Sequence, residues 1–343
     1  MGCGSMRITE DYSTMTGLVK VAADPGWLNG VPDKYRDGLR ELLEAATAPG
    51  TRRVYRGKLK LFLAWCQSEG LSALPAAPET VAAYVLALAQ RGVSCSTVSL
   101  ALAAISAAHR AAGLESPTTA LIVSKAAKGY RRTHGVAVHK ATAATGEIVK
   151  KMIWALMNAD QKLRNLRDVA LLSVGFAGAF RRSELVALDV EDLSWDMRDG
   201  REVVLATIRR SKTDQEGQGM TKAIFATEDA QSSPTLLLRR WLDAAGISAG
   251  PVFRRVRKGG QVQETRLDDQ TVRAAIRRAA SLAGLSMELS AHSLRSGFVT
   301  SAIRRGESER AIMNQTGHRS SAVMRGYYER ENALEDNAGK NIW

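Results

Sequence analysis

The length and composition of the chain limit what it can be. It has 343 residues, and at about 150 residues per domain this length predicts two domains. Hydrophobic residues make up 45% and charged residues 24%, the balance of a globular protein, and no apolar run approaches the ~18 residues of a membrane span. The first twenty residues lack a signal-peptide pattern, so we expect a cytoplasmic protein without membrane contact.

The net charge is the first functional indication. Forty-eight Lys and Arg against thirty-five Asp and Glu give a formal charge of +13, which favours a polyanionic partner such as DNA or RNA. The basic residues alternate with apolar ones and do not form a tail, which places them on folded faces. The cysteines are too few and too widely spaced for a disulfide framework or a structural zinc site: Cys3, Cys66 and Cys95.

The first half of the chain is predicted to be helical. After an N-terminal arm at residues 1–32, apolar residues recur at steps of three and four over residues 33–130. Leu59, Phe62 and Cys66 form one such stripe, which begins after a Thr51 cap and ends before Gly70. We therefore expect a helical bundle over residues 33–130.

A change of pattern divides the chain. Residues 131–145 have no sustained apolar period and are predicted to be an exposed interdomain linker. In the second domain, residues 146–331, the alternation over Arg201–Arg210 predicts a strand whose antiparallel partner is Thr221–Ala226. The fold class is thus mainly α, with one small antiparallel sheet in the second domain and a C-terminal tail at residues 332–343.

Several short motifs of the second domain are each unremarkable alone. An arginine on a helix is usually a solvated charge, and a tyrosine there usually packs against the core. The chain also lacks a phosphate-binding loop of the Gly-x-x-x-x-Gly-Lys type and a His-Glu-x-x-His zinc motif. The residues that remain occur in a fixed order: Arg181-x-x-Glu184-Leu185, Lys212, His292-x-x-Arg295, Gly317-His318 and Tyr327.

This ordered set resembles the catalytic boxes of the tyrosine recombinase (phage integrase) family. The resemblance covers residues 33–332 and is strongest to the Cre recombinase branch, through segments such as Pro78–Tyr84 and Val252–Lys258. One departure is Ala179, where the family usually has glycine two residues before its first arginine. The doubled pairs Arg181-Arg182 and Tyr327-Tyr328 are ambiguous, and the motif spacing selects the first member of each.

The resemblance implies a site-specific recombinase with a role for each residue. Arg181 and Arg295 would grip the scissile phosphate, because guanidinium forks stay charged and bind phosphate oxygens in pairs. His318 would donate a further hydrogen bond, Tyr327 would be the nucleophile and His292 its base. Lys212 would protonate the departing 5′ oxygen, and Glu184 would orient its neighbours. No metal or other cofactor is implied.

The implied partner is double-stranded DNA carrying an inverted-repeat site, bound by a homotetramer on two such sites. The resemblance implies a C-shaped clamp around the DNA and a C-terminal tail that docks on a neighbouring protomer; a frayed terminus is the competing interpretation. Arg273 and Arg277 lie four residues apart on one predicted helix that could enter a major groove, although phosphate contact or a solvated face is an equal alternative. The other DNA-contact candidates are Arg52, Arg53, Arg56, Lys60, Arg91, Arg254, Arg257 and Lys258.

Two other functions remain open at this point. A type IB topoisomerase would share the Arg, Lys, Arg, His and Tyr chemistry but would relax DNA as a monomer. A non-catalytic DNA-binding regulator would keep the clamp and lose the chemistry. The complete catalytic set favours an enzyme over the regulator.

Overall fold

The computed structural model describes residues 31–135, 142–159, 162–209 and 219–331, which fall into two compact units. The first unit contains residues 31–135 and the second residues 142–331. The helices of the first unit are α1 (Asp33–Ala45), α2 (Pro49–Ser68), α3 (Pro78–Gln90), α4 (Cys95–Ala111) and α5 (Leu121–His134).

The first unit is built on the predicted apolar stripes. Phe62 and Cys66 of α2 are buried against Tyr84 and other α3 residues, and the Phe62 and Tyr84 rings are 5.0 Å apart. Proline at the start of α2 and α3 favours these helix beginnings, because it has no N–H that a first turn would leave unpaired. The predicted all-helical bundle is confirmed.

The structure differs from the predicted linker, residues 131–145, at both ends of that segment. Helix α5 continues to His134, because Tyr130 is buried and its hydroxyl donates to the Val93 carbonyl. At the other end Ala144 is buried, and its N–H donates to the Ser293 carbonyl at 2.9 Å. Residues 131–135 are exposed as predicted, although the helix continues to His134, whereas burial of Ala144 makes the exposed segment wrong at the other end; residues 136–141 lie outside the described residues.

The second unit surrounds one buried helix. Its helices are α6 (Gly146–Asn158), α7 (Leu163–Ala177), α8 (Arg182–Ala187), α9 (Pro234–Ala245), α10 (Asp269–Leu282), α11 (Ala291–Arg304), α12 (Glu309–Thr316) and α13 (Ser321–Glu331). Helix α7 is buried on nearly every side between residues 167 and 175, as expected of a helix at the centre of a domain. Its C-terminal end leads directly into the candidate site.

The strands form two sheets where one was predicted. Strands β1 (Leu193–Arg198), β2 (Arg201–Ile208) and β3 (Met220–Phe225) make an antiparallel sheet in that order, which confirms the predicted β2 and β3 pairing. The prediction missed β1, although Asp199-Gly200, both with positive φ (49° and 73°), is a strong hairpin signal. It also missed the second sheet, a hairpin of β4 (Arg254–Val256) and β5 (Val262–Arg266).

No helix among the described residues is both long and apolar enough to cross a membrane.

Candidate active site

The site is built around the turn that follows α7. Ala179 is fully buried and has φ of 47°, in the left-handed region that favours glycine, which accounts for the glycine expected here from the family pattern. Gly178 must be glycine for a different reason, because a Cβ would lie 2.1 Å from the Phe180 ring. The turn thus gives the chain a fixed path into Arg181.

Arg181 is held by Glu184 of the next helix, α8. The Glu184 carboxylate accepts a hydrogen bond from the Arg181 backbone N–H at 3.0 Å and pairs with Arg181 Nη1 at 2.5 Å. Glu184 itself is buried, whereas the Arg181 side chain is 21% exposed. Glu184 therefore holds Arg181 from both its backbone and its side chain and leaves part of the guanidinium exposed.

Arg295 of α11 lies against the same turn. Its Nη1 donates to the Ala179 carbonyl at 2.8 Å, although the two residues are 116 positions apart. Its Nη2 is buried and has no hydrogen-bond partner among the residues that the structure describes. Burial and then the nearby Arg181 lower the pKa of Arg295 to about 10, so it stays charged at neutral pH. A buried, charged and unpaired N–H indicates an anion site.

His318 follows α12 and is oriented by Thr316. The buried Thr316 hydroxyl donates to the Ile312 carbonyl at 2.7 Å, so its oxygen is free to accept from His318 Nδ1 at 2.9 Å. This network assigns the proton to Nδ1 and leaves Nε2 for a ligand. Burial and then the charges of Arg295 and Arg181 lower the pKa of His318 to about 4.

The low pKa of His318 predicts a loss of stability in weak acid. The unfolded chain takes up a proton near pH 6.5, whereas the folded chain does so only near pH 4, so the free energy of unfolding falls as pH falls through this interval. We expect this decrease to be shallower in His318→Gln. Thermal unfolding of both proteins at several values between pH 7 and 4 measures the difference, and parallel pH curves would contradict the prediction.

Two further predicted residues face this cluster. The pKa of His292 lies below its usual value, because desolvation and then Arg295 and Arg181 disfavour its protonation. The Tyr327 ring lies 6.5 Å from the His318 ring, and the negative charge of a deprotonated Tyr327 would raise the pKa of Arg295. Tyr328 is turned elsewhere, since its hydroxyl lies 3.4 Å from the Glu307 carbonyl. Of these two tyrosines, Tyr327 is the one whose ring lies beside His318.

Lys222 was missed by the sequence analysis and is part of the cluster. It is 1% exposed, and its Nζ lies 3.9 Å from Glu184 Oε2. Burial lowers its pKa to about 7, an effect that Glu184 opposes and that Arg295 and Arg181 reinforce. A signal was available, because alternation along β3 places Lys222 on the same face as the buried Ile224. The predicted Lys212 lies outside the described residues.

The DNA-contact candidates divide into exposed and internally bound side chains. Arg273 and Arg277 are exposed on α10, whereas Arg278 of that helix is bound to Asn165 and Asp168. Arg254 donates to the carbonyls of residues 249 and 251, so a role in the fold is shown for it. Arg52 is half-buried, and the other candidates are exposed: Arg53, Arg56, Lys60, Arg91, Arg257 and Lys258.

Comparison with known proteins identifies the family. The model described as "Phage integrase family" matches residues 147–334, and that of the "Phage integrase, N-terminal SAM-like domain" matches residues 35–116. The chain is 37% identical over 302 residues to an integrase/recombinase xerD homolog of Selenomonas ruminantium, covering 86% of each chain. It is 25% identical over 254 residues to the recombinase cre of Escherichia phage P1, covering 72% of this chain and 71% of that one.

Solved structures share the fold. A lambda integrase bound to DNA has a TM-score of 0.56 at 20% identity and covers 90% of this chain and 95% of its own. The XerH site-specific recombinase bound to a palindromic substrate has a TM-score of 0.53 at 15% identity, covering 77% and 72%. The chain belongs to the phage integrase family, that of the tyrosine recombinases. The match to cre gives the predicted similarity to the Cre branch partial support, and the higher identity to the xerD homolog limits that support.

Proposed function

We propose that this tyrosine recombinase cuts and rejoins DNA at specific sites through a covalent bond to Tyr327, without metal or ATP. The observation that carries the proposal is the buried Nη2 of Arg295, which lies beside the Arg181 guanidinium and has no hydrogen-bond partner in the described part of the chain. Among the described residues, two arginines and Lys222 face a single carboxylate, Glu184, so this cluster has an excess of positive charge that a phosphodiester would neutralise.

The arginines stabilise the charge that builds up on the phosphate during the reaction. As Tyr327 Oη attacks phosphorus, negative charge accumulates on the non-bridging oxygens, and Arg181 and Arg295 direct fixed N–H donors at them. His318 donates from Nε2 once a bound phosphate raises its lowered pKa by offsetting the two arginines. Because these donors are held before DNA arrives, little reorganisation is needed in the transition state.

Two proton transfers complete the cleavage. The phenol of Tyr327 must lose its proton to become a good nucleophile, and His292 is the proposed base, since its lowered pKa keeps the imidazole neutral at pH 7. The departing 5′ oxygen must gain a proton, and Lys212 is the proposed acid. The products are a 3′-phosphotyrosine bond and a free 5′ hydroxyl. A 5′ hydroxyl from another strand can then reverse the step, because the phosphodiester energy is retained.

The arrangement on DNA is also a proposal. We infer a homotetramer on two inverted-repeat sites that exchanges strands through a Holliday junction in the cytoplasm. A lambda integrase tetramer bound to a Holliday junction, at a TM-score of 0.52 and 16% identity, shares this fold. The predicted tail at residues 332–343 lies outside the described residues, and its docking on a neighbour stays a prediction. Arg273 and Arg277 are the proposed base-reading side chains.

Covalent capture followed by a recombination assay tests the proposed function. Lysates are denatured, DNA that is still bound to the protein is recovered, and its sequence identifies the cleaved site. Two copies of that site are then placed in one supercoiled plasmid, and a plasmid without the site is the control. We expect recombinant products from the first plasmid and none from the second.

The same assay separates the alternatives. Relaxation of both plasmids without recombinants would indicate a type IB topoisomerase. If capture recovers no covalently bound DNA while the purified protein still binds DNA in gel-shift titrations, the non-catalytic regulator is supported instead. Binding should also weaken steeply with salt concentration, because many phosphates are contacted.

A further inference from the structure

A lysine on the core face of a strand is unusual, and Lys222 of β3 is 1% exposed. Its ammonium nitrogen donates to the Gly178 carbonyl at 2.8 Å and to the Ala179 carbonyl at 3.1 Å. It lies 3.9 Å from Glu184 Oε2 and 4.9 Å from the centre of the Phe180 ring. Its neighbours are thus the turn before Arg181 and the carboxylate that holds Arg181.

Three successive carbonyls of that turn are bound by side chains from distant parts of the chain. Gln315 of α12 donates to Ala177 at 3.0 Å, Lys222 donates to Gly178 and Ala179, and Arg295 donates to Ala179 at 2.8 Å. The Ala179 carbonyl is therefore shared between Lys222 and Arg295. Displacing this carbonyl would move both guanidinium groups, one through the chain and one through its hydrogen bond.

We propose that Lys222 is a positioning residue of the recombination reaction, which fixes the turn at Gly178 and Ala179 and thereby places Arg181 and Arg295 around the scissile phosphate. The inference rests on the proposed function, because it assumes that those two arginines bind that phosphate. The resemblance gave an orienting role to Glu184 and named no residue that holds the turn at Gly178 and Ala179.

The surroundings of Lys222 favour positioning over proton donation. Two of its three N–H donors point at backbone carbonyls, and the Glu184 carboxylate lies on the remaining side. The amine is also buried under the turn, so a departing 5′ oxygen would have to displace these partners to reach it. A donor near the leaving group, Lys212 in our proposal, is still required.

Lys222→Met removes the amine and keeps a side chain of similar length. With the DNA site recovered by covalent capture, we expect cleavage at saturating DNA to slow by about 100-fold, the size of effect that follows from small misplacements of catalytic groups. The dissociation constant for DNA should change little, because the binding surface is untouched. Lys222→Arg keeps the charge and the donors and should restore most of the rate. Thermal unfolding and DNA binding establish that each variant is folded.

A substrate with sulfur in place of the bridging 5′ oxygen separates positioning from proton donation. A thiol has a pKa of about 8.5 against about 15.7 for water, so a sulfur leaving group departs without a proton. We expect this substrate to rescue Lys212→Ala and to leave Lys222→Met slow. Rescue of Lys222→Met would instead make Lys222 the acid and overturn the inference.

Three other outcomes would contradict the inference or the function on which it rests. Wild-type cleavage rates in a folded Lys222→Met would overturn the positioning role while leaving the proposed function intact. If Lys222→Met does not fold, Lys222→Arg is tested in its place. A folded Lys222→Arg that cleaves slowly, and whose rate the sulfur substrate restores, would also overturn the inference. Absence of covalent product from the wild type would show that the proposed function itself has failed.

Discussion

Tyr327→Phe is expected to abolish the covalent attachment of the protein to DNA while leaving DNA binding nearly unchanged. The substitution removes one oxygen, and without it no phosphotyrosine bond can form at this residue. The ring stays in place among Val299, Ile312 and Met324, against which Tyr327 packs, so the fold should be retained. Covalent capture from denatured lysates measures the attachment, and gel-shift titration measures the binding.

Tyr328→Phe is the matched control for this experiment. It makes the same change one residue later, where the hydroxyl lies 3.4 Å from the Glu307 carbonyl on an exposed part of the surface. We expect this variant to capture the same DNA sequences as the wild type. Covalent capture that persists in Tyr327→Phe and is lost in Tyr328→Phe would make Tyr328 the nucleophile. Capture that persists in both variants would show that neither tyrosine is the nucleophile.

The apolar stripes and the ordered motifs were sufficient to predict the helical class and most of the cluster. Val81, Tyr84 and Leu88 are buried as their spacing indicated, and Arg181, Arg295 and His318 converge although 137 positions separate the first from the last. Such predictions succeed because amphipathic periods are local and because the motif pattern already carries the long-range arrangement.

The parts that were not predicted depend on contacts between distant segments. Lys222 binds a carbonyl 44 positions away, and no local pattern states which backbone oxygens a buried lysine will meet. Arg254 was proposed as a DNA contact, and the sequence did not indicate that its guanidinium also binds the loop before β4. Charge predicts that a side chain needs a partner, and tertiary structure decides whether that partner belongs to the protein or to DNA.

Arg181→Ala is expected to slow DNA cleavage by about 100- to 1,000-fold, the cost of removing one fixed donor from the charge that develops in a transition state. DNA affinity should fall far less, because this contact is one of many to the phosphates. Single-turnover cleavage at saturating DNA measures the rate. Arg181→Lys keeps the charge and loses the fork, so its cleavage rate should lie between those of the wild type and Arg181→Ala.

The neighbouring arginine supplies the control that makes the Arg181 result interpretable. The Arg182 side chain is 41% exposed and pairs with Asp269 at 3.0 Å, an exposed ion pair of the kind that contributes little to stability. Arg182→Ala removes the same charge from the same protein, so any effect of net charge on DNA binding appears equally in both variants. A cleavage defect confined to Arg181→Ala therefore reports on the guanidinium that Glu184 holds. Equal defects in the two variants would assign the loss to overall charge and contradict the role proposed for Arg181.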